Sequence, residues 1–137
     1  MKSQASALIA AACLSILAGC AAPGPYTAQD TTKYTAENTE KFVLLDLPAQ
    51  HSVTCTGLQE RLLPDGRLEV VANVKNREAR RIQVQIQAVF KDEQSFSTND
   101  ETPWQTLILS ENSTESVHFI ASNTLAKKYT VRVRQAR

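Results

Sequence analysis

The segment RIQVQIQAVFK, residues 81–91, decides the fold. Ile82, Val84, Ile86, Ala88 and Phe90 alternate there with Arg81, Gln83, Gln85, Gln87 and Val89. On a strand successive side chains point to opposite faces, so this order gives one apolar face and one mostly polar face. A helix would scatter the same apolar residues around its circumference. The segment reads as a half-buried strand.

The same period of two extends in both directions. Upstream, Leu68, Val70, Ala72 and Val74 share a face of the stretch from Arg67 to Asn76. Before it, Pro64-Asp65-Gly66 has the chemistry of a tight turn, since proline presets φ and glycine takes the left-handed position. Ser52 to Leu62 then forms the other arm of a hairpin, with Val53, Cys55, Leu58 and Leu62 inward. Phe42 to Leu47 is a first short apolar strand closed by Pro48. Downstream, Lys91 to Pro103 is polar and reads as a loop. Trp104 opens a further strand with Thr106 or Leu107, Ile108 and Leu109, and Ser110-Glu111-Asn112-Ser113 turns the chain. Val117, Phe119 and Ala121 alternate with Ser116, His118 and Ile120, and Tyr129, Val131 and Val133 alternate with Thr130, Arg132 and Arg134. Asn123 to Lys127 reads as one helical turn.

About seven strands within some 95 residues, with turn signals every 8–12 residues or so, predict an all-β domain over 42–137. The expected architecture is an immunoglobulin-like antiparallel β-sandwich. An open sheet with one packed helix is the alternative, but no stretch after Cys20 keeps a helical period over about ten residues.

The beginning of the chain has a different character. Met1-Lys2 supplies a positive start, and an apolar stretch runs from Ala5 to Ala18. At about 14 residues it falls short of the roughly 20 that a spanning helix needs, and it fits the core of a secretory signal. Leu17-Ala18-Gly19-Cys20 resembles the lipobox of bacterial lipoproteins at every position. Small residues at 18 and 19 admit the backbone to the signal peptidase, and the Cys20 thiol carries the diacylglycerol that marks the cut. The expectation is a cleaved signal peptide over 1–19 and an acylated Cys20 that tethers the chain to a membrane. Ala21, in place of aspartate, points by resemblance to enterobacterial sorting rules to the outer membrane, facing the periplasm. Residues 20–41 are rich in Pro, Gly, Thr, Ala, Gln and Asn, a composition that buries too little surface to offset ordering, and are read as a flexible linker.

Charge excludes some partners. The chain carries 15 basic and 14 acidic residues, and loss of Lys2 with the signal leaves 14 of each. A neutral chain lacks the basic face that nucleic acid requires. The cysteines lie at 13, 20 and 55; the first leaves with the signal and the second is consumed by lipid, so Cys55 has no intramolecular disulfide partner.

Catalytic chemistry finds little support. His51, Cys55 and Asp46 are the ingredients of a nucleophilic triad, but four residues along a strand separate two groups by about 13 Å. A zinc site from His51, His118 and Cys55 lacks any pair at metal-binding spacing. No enzyme, cofactor or metal is expected. The positive residues Lys127, Lys128, Arg132, Arg134 and Arg137 cluster near the C-terminus, and Trp104 follows Pro103. The charges read first as the solvated face of an edge strand and Trp104 first as a core anchor. The sharper reading makes Trp104, Lys127, Lys128, Arg132 and Arg134 a partner surface.

Three features carry a family resemblance: the Val84–Phe90 strand followed by Lys91-Asp92, Pro103-Trp104 leading into Leu107-Ile108-Leu109, and the closing Tyr129-Thr130-Val131-Arg132-Val133-Arg134. On these, the chain from Phe42 onward resembles the YcfL-like family of small periplasmic lipoproteins of unassigned function. The resemblance implies an immunoglobulin-like sandwich on a lipid anchor and brings no catalytic residues with it. At Val89-Phe90-Lys91 the chain departs from the family's Trp and Tyr ahead of a strand-end Asp.

The function expected is that of a lipid-anchored envelope protein that binds another envelope protein through its β domain. The alternatives are a binder of a small apolar or cell-wall ligand and an accessory lipoprotein of a secretion system.

Overall fold

The computed structural model describes residues 39–136. The expected signal peptide with Leu17, Ala18, Gly19 and Cys20 lies outside the described residues, as do the expected linker up to residue 38 and Arg137.

The strands are β1 (Phe42–Leu44), β2 (Val53–Leu62), β3 (Leu68–Asn76), β4 (Ile82–Lys91), β5 (Ser97–Glu101), β6 (Gln105–Leu109), β7 (Thr114–Ile120) and β8 (Lys128–Gln135), with one short helix, α1 (Leu47–Ser52), between β1 and β2. They form two sheets. One runs β1-β8-β4, with β5 and β6 both paired to the far side of β4, and the other runs β2-β3-β7. The all-β sandwich expected from the sequence is the architecture observed.

Alternation places the core where the pattern predicts. Val70, Ala72 and Val74 of β3 face Ile86, Ala88 and Phe90 of β4, with Val131 and Val133 of β8, and all eight are fully enclosed. In β2 the inward residues change parity, from Val53 and Cys55 to Leu58. A register shift between Cys55 and Gly57 accounts for this. One extra residue in a strand re-aims every side chain beyond it. Asn76, at the end of β3, is a fully buried polar side chain. Its Nδ2 donates to the carbonyls of Arg80 (2.7 Å) and Ser110 (2.9 Å), and its Oδ1 accepts from the Glu78 amide (2.9 Å). One side chain thereby holds the β3–β4 turn against the β6–β7 turn.

Four local expectations are corrected. The first strand is three residues long and pairs parallel to β8, with Phe42 beside Val131 and Leu44 beside Val133. A parallel neighbour needs no tight turn, and almost the whole domain intervenes between β1 and β8. The chain leaves β1 through Asp46, which caps α1, and Pro48 sits in the first helical turn, where its missing N–H costs nothing. The polar stretch expected as a loop contains β5. Ser97–Glu101 has no apolar alternation because β5 lies at the margin of β4, pairing Val89 with Glu101 and Lys91 with Ser97. The helical turn expected at Asn123–Lys127 is absent; Asn123 Oδ1 accepts from the Leu125 amide at 2.9 Å, a local alternative to the helical bond. Leu62, expected inward, is 60% exposed because it lies beyond the rim of the core.

The connections fall at two ends, except the short 102–104 link between β5 and β6, which lies beside the middle of β4. At one end lie the Leu63–Arg67 turn, the Asp92–Phe96 turn, the 121–127 connection and the place where the chain enters at 39–41. The Gly66 turn abuts Thr124, the Lys127 amide donates to the Lys91 carbonyl (2.8 Å), and the Val131 amide donates to the Lys41 carbonyl (2.8 Å). At the other end lie α1 and the turns following β3 and β6.

Candidate interaction surface

The outward residues of the five-stranded sheet build the site. Cross-strand register sets Gln85 beside Arg134 and Gln87 beside Arg132. β6 pairs with the opposite edge of β4, Gln105 beside Ile86. That register leaves Trp104, one residue earlier, on the outward face. Trp104 is half-buried and stands apart from the core. The expectation of a core anchor is corrected: Pro103 ends the preceding segment, and the parity of β6 turns the indole to the face that carries the arginines.

The geometry is close. The Arg134 guanidinium lies 3.9 Å from the centroid of the Trp104 ring, and that of Arg132 lies 5.6 Å away. Arg134 Nε donates to Gln85 Oε1 at 2.9 Å, and an Arg132 Nη donates to Gln87 Oε1. Glu101 of β5 sits 3.6 Å from Arg132. Gln87 is held in turn by donating through Nε2 to the Thr102 carbonyl (2.8 Å), and Thr102 Oγ1 accepts from the Ala88 amide (2.9 Å). A cation over an aromatic face is favourable, and here glutamines fix the guanidinium planes before any partner arrives. The arrangement sets a half-buried indole and two guanidiniums side by side in fixed positions on one face of the sheet.

Of the five residues expected at a partner surface, the fold unites Trp104, Arg132 and Arg134. It separates Lys127 and Lys128 from them. Lys128 pairs in register with Lys91, donates to Ser95 Oγ (3.3 Å), and lies four residues, about 13 Å, along β8 from Arg132. Lys127 belongs to the connection before β8. Gln85, Gln87, Glu101 and Thr102 were missed by sequence reasoning, because only register brings them beside the arginines.

The other site candidates are dispersed. Asp46 is engaged through both carboxylate oxygens, accepting from the Ala49 amide (3.0 Å) and the Gln135 amide (2.8 Å). His51 is exposed in the last turn of α1, and Cys55 Sγ donates to the Gly57 carbonyl (3.4 Å). Partial burial pushes the Cys55 thiol up, away from the thiolate a nucleophile needs. Among the described residues, no group of three or more His, Cys, Asp and Glu side chains is placed to hold a metal ion. On the outer face of the three-stranded sheet, Glu69 is nearly enclosed between Arg61 and His118, with His118 Nδ1 at 3.5 Å. The hydrogen bond from Arg61 chiefly holds its carboxyl below the usual range. His118 itself is well exposed, on the solvent face expected for it.

A family model described as "Protein of unknown function (DUF1425)" matches residues 42–135, from β1 through the last residue of β8. The chain belongs to the DUF1425 family. Two solved structures resemble the DUF1425 fold described above. The crystal structure of Campylobacter jejuni cj0090 superposes with a TM-score of 0.58 at 20% identity, over 70% of this chain and 98% of that one. A DUF1425 family member from Shewanella sp. PV-4 superposes with a TM-score of 0.58 at 20% identity, over 68% of this chain and 87% of that one. Likeness at this identity speaks to the DUF1425 fold alone. No curated protein matches the chain.

Proposed function

We propose that this DUF1425 chain is a lipid-anchored envelope protein, held through Cys20 at the periplasmic side of the outer membrane. Its sandwich binds another envelope protein and catalyses no reaction. The lipobox at Leu17–Cys20 and the resemblance to YcfL-like lipoproteins support the anchor. One observation carries the binding role: Trp104 stands outside the core with Arg134 stacked on its ring at 3.9 Å. Tryptophan and arginine are the residues that most often dominate binding energy at protein interfaces. Fixing both in place before contact removes part of the ordering cost.

A photocrosslinking residue in place of Thr106, exposed on the face that carries Trp104, tests the reading in intact cells. A discrete crosslinked species that disappears with Trp104→Ala and with Arg134→Ala is the expected result. Crosslinks indifferent to both substitutions would remove the assignment of this face. For the anchor, metabolic labelling with a palmitate analogue is expected to mark the parent chain and to miss Cys20→Ser.

A second reading, a small apolar or cell-wall ligand, draws on the groove over Val71 between Gln59, Arg61 and His118. A ligand held there raises the melting temperature with its concentration, and cell-wall fragments that leave it unchanged argue against this reading.

A further inference from the structure

We propose that the end of the sandwich at which the chain enters is seated on the lipid surface to which Cys20 tethers it. This rests on the lipid-anchor reading above. Three separate connections at that end each hold out a large apolar side chain: Leu62 beside the first hairpin turn (60% exposed), Phe96 after the Asp92 turn (70%) and Leu125 before β8 (63%). The core gains nothing from them. The turn before Phe96 is itself well built, with Asp92 Oδ1 accepting from the amides of Gln94 (2.9 Å) and Phe96 (3.0 Å), so the ring is presented by an ordered loop.

The opposite end differs in kind. Its turns read Arg77-Glu78-Ala79-Arg80-Arg81 and Ser110-Glu111-Asn112-Ser113, without a large apolar residue. Toward this end Leu47 of α1 (64%) and Ile108, on the sheet face near the end of β6 (48%), are the exposed large apolar side chains among the described residues, and neither sits on a turn. Apolar side chains set singly on several loops at one end of a domain suit the boundary between headgroups and acyl chains, where each is relieved of water without a shaped pocket.

The path of the chain selects the occupant. Glu40 and Lys41 are fixed to β8, the Glu40 carbonyl accepting from Thr130 Oγ1 (2.9 Å) and the Lys41 carbonyl from the Val131 amide (2.8 Å). The segment arriving from Cys20 therefore joins the domain at the same end as Leu62, Phe96 and Leu125. Between Cys20 and Thr39 the chain reaches at most about 63–68 Å, and joining here turns this end toward the anchor without passing the domain's side. Lys127 and Lys128 lie at this end and suit headgroup phosphates. Asp92 and Glu93 share it, so the apolar side chains carry the contact and anionic lipid adds little.

The full lipidated chain, reconstituted into phosphatidylethanolamine–phosphatidylglycerol vesicles with brominated acyl chains, provides the test. Trp104 is the single tryptophan, and replacing it by Phe leaves a silent background. The indoles of Phe96→Trp and Leu125→Trp variants in that background are expected to be quenched about twofold by bromine, whereas Trp104 in the parent keeps its intensity. Chains that float with the vesicles while both variants stay unquenched overturn the seating and leave the anchor standing. Chains that fail to float overturn the anchor and the seating with it. An indole shielded from acrylamide yet untouched by bromine assigns this end to a protein, a second copy or another partner, and also overturns the proposal.

Discussion

Asp46 and Gln135, 89 positions apart, join the beginning of the domain to its end: Asp46 Oδ2 accepts from the Gln135 amide at 2.8 Å. The other oxygen of the same carboxylate caps α1 through the Ala49 amide at 3.0 Å. One side chain thus starts the helix and pins the tail of β8.

Asp46→Ala removes both bonds. A lost N-cap costs about 1 kcal/mol and a lost charge-assisted bond a similar amount, so the domain is expected to lose about 2 kcal/mol. Thermal unfolding should show a melting point lower by roughly 8–16 °C for a domain of this size. Asp46→Asn, which keeps an acceptor, should lose about half as much. A melting point unchanged by Asp46→Ala would show that neither bond matters.

Asn76→Ala removes a fully buried side chain and leaves the part-buried carbonyls of Arg80 and Ser110 and the Glu78 amide without it. The expected loss is about 1–3 kcal/mol in urea unfolding, because three part-buried bonds that join two turns are lost together. Asn76→Leu fills the volume and should not restore the stability.

Trp104 and Arg134 are expected to be coupled by about 0.5–1 kcal/mol in a double-mutant cycle on stability, as a cation over a half-exposed ring. Neither single substitution to Ala should cost more than about 1 kcal/mol, since neither side chain belongs to the core. Both should abolish partner crosslinking at Thr106. Binding and folding are thereby separated at one site.

Glu69 gives the domain an acid sensitivity. Arg61 first, and His118 with it, hold its folded-state carboxyl below the usual range. A group depressed on folding stabilises the fold above its unfolded value and loses that contribution as pH falls through the folded one. Melting temperature should therefore decline from about pH 5 downward, and Glu69→Gln should lower it at neutral pH while flattening the acid limb. Glu78, lowered by its bonds from Ser52 and Arg80, contributes in the same direction, so the decline is reduced and not abolished.

What the amino-acid order determined by itself was the inside and outside of the strands. Val84, Ile86, Ala88 and Phe90 face the core, and Arg132 and Arg134 lie on the opposite face, because alternation along one strand and the removal of apolar side chains from water are both local properties. Thr130, outward by the same alternation, is nevertheless enclosed, an outcome that belongs to the tertiary structure. Pro64-Asp65-Gly66 likewise carries its turn in its own dihedral preferences, with Gly66 at φ 87°. Tertiary structure decided which strand lies beside which. The parallel seat of β1 on β8, the pairing of polar β5 to the margin of β4, and the change of parity across Cys55–Gly57 all depend on backbone hydrogen bonds that every residue type makes alike, so no side-chain pattern encodes them. The candidate surface belongs to this second class. Trp104, Arg132 and Arg134 were legible as residues, but their meeting, and their separation from Lys127 and Lys128, followed only once β4 stood between β6 and β8 and brought three distant segments into register.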